Sequence, residues 1–164
     1  MEYQIVPITL DHLEAFRAAV DSVAKERKYL SFLEGPPLEM SREFVEGNIK
    51  GNWPQVVAIH DNKLIGWCDI SSLQRPIYEH CGELGIGVLK PFRGQGIGEA
   101  LIRAALEKAK ARGLTRIELT VFEPNKAAMH LYTKLGFVVE GTKKKAGLID
   151  GQYFDVICMA LLTD

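Results

Sequence analysis

The sequence lacks any apolar run approaching the roughly 18–20 residues that a membrane-spanning helix needs. Its start, Met-Glu-Tyr-Gln-Ile-Val-Pro, has neither the basic residues nor the apolar stretch of a secretory signal. Cytoplasmic action with no membrane partner is the expectation. Charge of one sign is also missing: 20 lysines and arginines oppose 21 acidic residues, a formal net charge of −1. That balance excludes wrapping of nucleic acid through global charge, and no nucleic-acid partner is expected. Cysteine is scarce, with Cys68, Cys81 and Cys158 in strand-like runs and no CxxC pair. They read as buried thiols of a reducing compartment. No ligand spacing joins them to His12, His60, His80 or His130, so no metal is expected. Repeats and low-complexity segments are absent. What is present, 47% hydrophobic and 25% charged residues over 164 positions, fits one globular domain spanning 1–164.

Apolar residues at Leu13, Phe16, Val20 and Val23 predict a helix within Leu10 to Lys28, capped by Thr9 or Asp11. A second helix is expected from Ser41 to about Asn52, stopped by Trp53-Pro54. Gln55 to His60 and Lys63 to Ser71 flank Asp61-Asn62, the two-residue turn of a hairpin. Gly82 to Leu89 reads as a strand. Gly96 to Arg112 reads as a long helix, with a stripe of Ile97, Leu101, Ala104, Ala105 and Lys108 and with Gly113 closing it. Thr115 to Phe122 is β-rich, and Pro124-Asn125 opens a short helix ending at Gly136. Phe137 to Glu140 and Gln152 to Leu162 return to strand, joined through Lys143-Lys144-Lys145 and the Asp150-Gly151 turn. The lysine run reads as a solvated face. The order predicts an α/β (α+β) domain with a mixed sheet, not an alternating doubly wound fold.

The segment Gly85-Ile-Gly-Val-Leu-Lys-Pro-Phe-Arg-Gly-Gln-Gly-Ile-Gly-Glu-Ala carries the most chemistry. It reads as a strand, a loop with glycines at 94, 96 and 98, then a helix. Glycines admit close approach of a ligand to the backbone, and free N–H groups at a helix start favour phosphate. Arg93 adds a fork able to grip a phosphate oxygen. The competing reading is a tight strand-to-helix turn with no ligand. A P-loop is excluded because no Gly-Lys pair exists in the chain, and the dinucleotide fingerprint fails because the spacing is GxGxG.

Arg93-Gly-Gln-Gly-Ile-Gly resembles the R/Q-x-x-G-x-G/A signature of the GCN5-related N-acetyltransferases, the GNAT superfamily. About 30 residues on, Asn125-Lys-Ala-Ala-Met-His-Leu-Tyr-Thr-Lys-Leu-Gly-Phe resembles that family's N-x-x-A-x-x-x-Y-x-x-x-G-F block. The element order is similar too, so the resemblance covers nearly the whole chain. It implies a mostly antiparallel central sheet of six to seven strands flanked by about four helices. It further implies acetyl-CoA as cosubstrate, its pyrophosphate on the backbone of Arg93, Gly94, Gln95, Gly96, Ile97 and Gly98. The pantetheine arm would lie along Ile86, Gly87 and Val88, where the strand splays from its neighbour. The family is often dimeric, which implies a homodimer here.

Asn125 and Tyr132 stand seven residues apart, about two helical turns or roughly 10 Å, on nearly one face. The resemblance makes Asn125 a cofactor hydrogen-bonding residue and Tyr132 the general acid for the departing thiolate. The ordinary alternatives are a helix cap and a half-buried core ring. Candidate bases for the acceptor amine are Glu83 and His80, which alternation puts on opposite faces of an ideal strand. A water chain is the alternative to both. Gly85 and Gly87 strip the strand of bulk, as close approach or a packing kink requires. For the acceptor, the resemblance points to Tyr29, Leu30, Phe32 and Leu33, to Gln74-Arg75-Pro76 and to Tyr153-Phe154, residues that could equally close the core. Segments around Arg75-Pro76, Arg116 to Phe122 and Glu140 to Lys144 are similar to a bacterial branch acting on free L-amino acids. The expected activity is N-acetylation of a small-molecule amine. The alternatives are acetylation of a protein N-terminus, as in the ribosomal-protein type, and a non-catalytic CoA-binding module.

Overall fold

The computed structural model describes residues 1–163. Seven strands form one sheet: β1 (Gln4–Pro7), β2 (Gln55–His60), β3 (Lys63–Ser72), β4 (Cys81–Val88), β5 (Arg116–Phe122), β6 (Val138–Ile149) and β7 (Gln152–Leu162). Their spatial order is β1-β2-β3-β4-β5-β7-β6. Only β4 and β5 run parallel, and their pairing covers just Cys81–Glu83 against Arg116–Glu118. Beyond Glu83 the two strands separate, which opens the middle of the sheet.

Two clusters of apolar side chains fix the helices to opposite faces. On the first face, α1 (Leu13–Ala24) buries Leu13, Phe16, Val20 and Val23 against Val57, Leu64 and Trp67. The i, i+3, i+4 recurrence of those residues is what makes this segment a helix with one apolar side. Here α2 (Leu38–Lys50) adds Val45. On the second face, α3 (Ile97–Arg112) buries Ile97, Leu101, Ile102, Ala105 and Ala109 over Ile65, Ile70, Ile117 and Leu119. Nearby, α4 (Lys126–Lys134) contributes Tyr132, whose ring packs on Phe137 with centroids 5.9 Å apart. Positive φ at Asp61 (48°) and Asn62 (60°) gives the β2–β3 hairpin the twist that a two-residue turn requires.

Two boundaries and one position on a helix stripe depart from the sequence expectation. Pro37 caps α2, so the helix starts at Leu38 rather than Ser41. Lys108 is exposed, and Ala109 takes the buried place on the α3 stripe. β6 continues to Ile149 instead of ending at Glu140, so Lys143 to Lys145 lie within a strand. Its pairing to β7 shifts register between Val139 and Gly141 and again between Lys143 and Gly147. Such bulges bend a strand, and here they accompany the return of the hairpin tip towards α1. There Arg27 makes a two-pronged ion pair with Asp150, at 3.0 and 2.8 Å. Among the described residues no helix is long and apolar enough to cross a membrane.

Candidate active site

The loop between β4 and α3 turns through left-handed glycines, Gly94 at φ 76° and Gly96 at φ 82°. A side chain at either position would meet nothing within 4 Å, so backbone conformation and not crowding requires glycine. Gly96 caps α3. Among the described residues, the N–H groups of Gly94 through Glu99 have no acceptor, while Ala100 already donates to the Gly96 carbonyl. This row of unpaired donors at a positive helix end is a cradle for an anion. Ile97 offers only its backbone, because its side chain is in the core. Arg93 differs from expectation. Its guanidinium pairs with both carboxylate oxygens of Glu26, at 2.8 and 2.6 Å, and Nε donates to the Val88 carbonyl at 2.8 Å. The fork expected to grip phosphate is a brace that ties the loop to the end of α1 and to β4.

The opening between β4 and β5 lies beside this cradle. Leu89 N donates to Ile65 O, and Gly66 is level with Val88. Alternation along the antiparallel ladder therefore turns the N–H groups of Ile86 and Val88 away from β3, towards the opening. Gly98 closes the corner, with a hypothetical Cβ 3.7 Å from Leu131, 3.9 Å from Ile86 and 3.9 Å from Val88. Loop, strand and α4 thus converge. Gly87 has a different origin from ligand approach: an added Cβ would stand 2.2 Å from the Trp67 ring. The indole itself occupies the space that the glycine leaves.

Asn125 caps α4, its Oδ1 accepting from Ala128 N at 3.3 Å. Tyr132 is buried, 7% exposed, rather than half-buried. Burial, then the neighbouring Cys68, raises its phenol above the ordinary tyrosine range, which keeps the hydroxyl protonated. Its hydroxyl has no protein partner among the described residues.

The opposite face carries the acidic residues. Glu83 is exposed on β4. His80 precedes the strand, exposed, with Nε2 3.3 Å from the Cys81 sulfur. Alternation therefore does not govern its direction. Burial and then Glu118 push the Cys81 thiol up, against an opposing effect of Arg116, so it is a poor nucleophile despite the imidazole. Arg116 engages Glu118 at 3.0 Å and Glu140 at 2.9 Å. Sequence reasoning missed Asp69. It lies on β3 opposite Gly85 and is 7% exposed, and burial, then Glu83, pushes its carboxyl up to about 8. Tyr132 and this acidic group stand on opposite sides of the sheet, with the β4–β5 opening in the sheet between them.

The model of the Acetyltransferase (GNAT) family matches residues 20–137. The chain belongs to this family. An L-amino acid N-acetyltransferase of Escherichia coli K12 is 39% identical over 107 residues, 65% of this chain and 66% of its own length. A GNAT-family acetyltransferase of known structure from Streptococcus pneumoniae superposes with a TM-score of 0.92 at 30% identity, covering 99% of this chain and all of that one. A phosphinothricin acetyltransferase of the GNAT superfamily from Sinorhizobium meliloti, solved in complex with acetyl-CoA, gives 0.92 at 20% identity over 99% of this chain and 89% of that one. This last likeness is one of fold.

In this GNAT acetyltransferase the segments named for the acceptor divide between an exposed rim and packed side chains. Phe32, Leu33 and Tyr153 are exposed, whereas Leu30 packs against the α1 cluster. Tyr29 lies over the Arg93 guanidinium, 4.8 Å from the ring centroid. Phe154 packs on Phe122 at 4.7 Å. Gln74 adopts a left-handed φ of 60°, and Arg75 and Pro76 are exposed beside it. Glu26 and Arg27, consecutive residues after α1, bind the GNAT loop and the β6–β7 tip respectively.

Proposed function

We propose that this acetyltransferase moves the acetyl group of acetyl-CoA to the primary amine of a small molecule of the amino-acid class, by direct attack on the thioester. The opening between β4 and β5 carries the reading, because the sheet parts there with the buried tyrosine on one face and the carboxylates on the other. Acetyl-CoA supplies an activated acyl carbon and a thiolate leaving group. The cradle fits its pyrophosphate: N–H groups of Gly94 to Glu99 are free, and the glycine backbones stand open. Arg93 would contribute by bracing that loop. The N–H groups of Ile86 and Val88, on either side of Gly87, face the opening and suit the amides of the pantetheine arm.

Val88 N–H is placed to donate to a developing oxyanion. Tyr132, held protonated by burial, donates to the leaving thiolate. Glu83 meets the incoming ammonium at the rim. Asn125 has its Oδ1 committed to the cap and retains its amide N–H groups for the cosubstrate. His80 is exposed and touches Cys81, which supports a lesser part than Glu83. Apolar side chains at Phe32, Leu33 and Tyr153 suit an acceptor with an apolar portion. The relative acting on L-amino acids supports that class. The reading places the protein in the cytoplasm, supported by three free thiols. It also includes a homodimer, supported by exposed Val138, Val139 and Leu148 on the edge strand β6.

The test is CoA thiol release across amino acids, polyamines, aminoglycosides and N-terminal peptides. Turnover confined to peptides would replace the small-molecule reading by the protein N-terminal one.

A further inference from the structure

Asp69 is the one carboxylate in this region that is both buried and without a hydrogen-bond partner among the described residues. Its surroundings are specific. Ile70 N donates to Pro54 O, which makes the adjoining Gln55–Asp69 pair a non-hydrogen-bonded one, the kind that brings side chains closest. Gln55 accepts from Asn48 Nδ2 at 2.9 Å through Oε1, and its Nε2 is buried with no partner. The Gln55 Nε2 donor is thus buried and unpaired opposite Asp69, whose carboxyl makes no hydrogen bond among the described residues. A buried polar group left in this state costs about 1–3 kcal/mol, and a group retained at such a cost calls for a role.

On its other side Asp69 faces Gly85. A Cβ built at Gly85 would lie 3.2 Å from Asp69 Oδ1, so the missing side chain leaves the carboxylate uncovered towards β4. The charged group nearest it is Glu83, on the same face of β4. Its own strand adds the Cys68 thiol, β2 and α2 add only the amides of Gln55 and Asn48, and the buried side of α1 is apolar. Among the described residues no cation pairs with it.

We propose that Asp69 takes the proton from the acceptor ammonium, across the gap left by Gly85, while Glu83 holds that ammonium at the rim. The N–H bond breaks with its electron pair remaining on nitrogen, and the proton adds to a carboxylate oxygen of Asp69. This yields a neutral amine and a neutral carboxylic acid. A carboxyl titrating near about 8 is matched to work near neutral pH better than an ordinary one.

The inference rests on the acetyl-transfer reading, whose failure would appear as no thiol release from the wild-type protein. The test of Asp69 itself compares rate–pH profiles of wild type, Asp69→Asn and Glu83→Gln with one amine acceptor. Asp69→Asn should lower kcat about 100-fold, keep KM for acetyl-CoA, and lose the limb that rises towards pH 8. Glu83→Gln should raise KM for the acceptor and keep that limb. The reverse pattern, with the limb kept in Asp69→Asn and lost in Glu83→Gln, would overturn the proposal. Should Asp69→Asn fail to fold, infrared spectra of the wild-type protein carry the test. A protonated-carboxyl band present at about pH 6 should vanish as pH passes about 8, and absence of that band at the lower pH would overturn it.

Discussion

In the proposed reaction Tyr132 and Asp69 act from opposite sides of a sheet that is open between them. Each is 7% exposed, and burial raises both pKa values, so the Tyr132 phenol stays protonated at neutral pH while the Asp69 carboxyl, pushed up to about 8, keeps an ionised fraction able to accept a proton. The consequences differ. A phenol held protonated is ready to give a proton, whereas a carboxyl near about 8 exchanges one. Tyr132→Phe should therefore reduce kcat about 100-fold with KM for acetyl-CoA nearly unchanged, as steady-state kinetics would read. Equal turnover of both proteins would remove the acid role. A second residue has a purely steric part. Gly87→Ala would place a methyl 2.2 Å from the Trp67 ring and should destabilise the fold by about 1–3 kcal/mol, seen as a lower Tm. An unchanged Tm would mean that the indole moves freely.

At the scale of elements, the loop from Gly94 to Gly98 is the part most dependent on backbone shape. Gly96→Val imposes a β-branched residue on φ 82°, at a position where the added Cβ has no neighbour within 4 Å. It should weaken CoA binding at least about 10-fold in a calorimetric titration, while Tm falls by only a few degrees. Intact affinity would contradict the cradle. This loop was legible in the sequence because its glycines alternate beside a helix start, a local feature. The side chain of Arg93 was not, since its partner Glu26 lies 67 residues away and meets it only when α1 packs on the sheet. Asp69 escaped notice for a similar reason. An aspartate in a β-rich run reads as a solvent-facing residue until α1 covers β3. The length of β6 is hidden in the sequence because its lysines and bulges break the period-two pattern by which a strand is recognised. The hairpin at Asp61-Asn62 and the closure of α3 at Gly113 are set by local conformation and stand as expected.

For the whole molecule, the near-balanced charge agrees with a polyanionic cosubstrate held by one loop and not by a basic surface. Global stability should carry the mark of Asp69. Its folded pKa lies above the unfolded value of 3.8, so the folded state binds the extra proton between those limits. Stability from this group is complete below the unfolded value and is lost as pH rises towards about 8, at up to roughly 1.4 kcal/mol per pH unit. Glu26, Glu140 and Asp150 have carboxyls lowered by their arginine partners, so their contributions fade only as pH falls below the ordinary carboxylate range. Urea unfolding of wild type should therefore weaken from about pH 5 to about pH 8, and Asp69→Asn should flatten that slope. A parallel slope in both proteins would contradict the assigned titration.

The central claim is that a thioester lying in the opening of the sheet is attacked directly by an amine from the acidic face. Its most direct measurement follows CoA thiol release and the mass of the acceptor together, with an L-amino-acid panel and the wild-type protein. The account predicts acceptor-dependent release with one N-acetylated amine formed per thiol. Tight CoA binding with no acceptor-dependent thiol and no acetylated amine would contradict it.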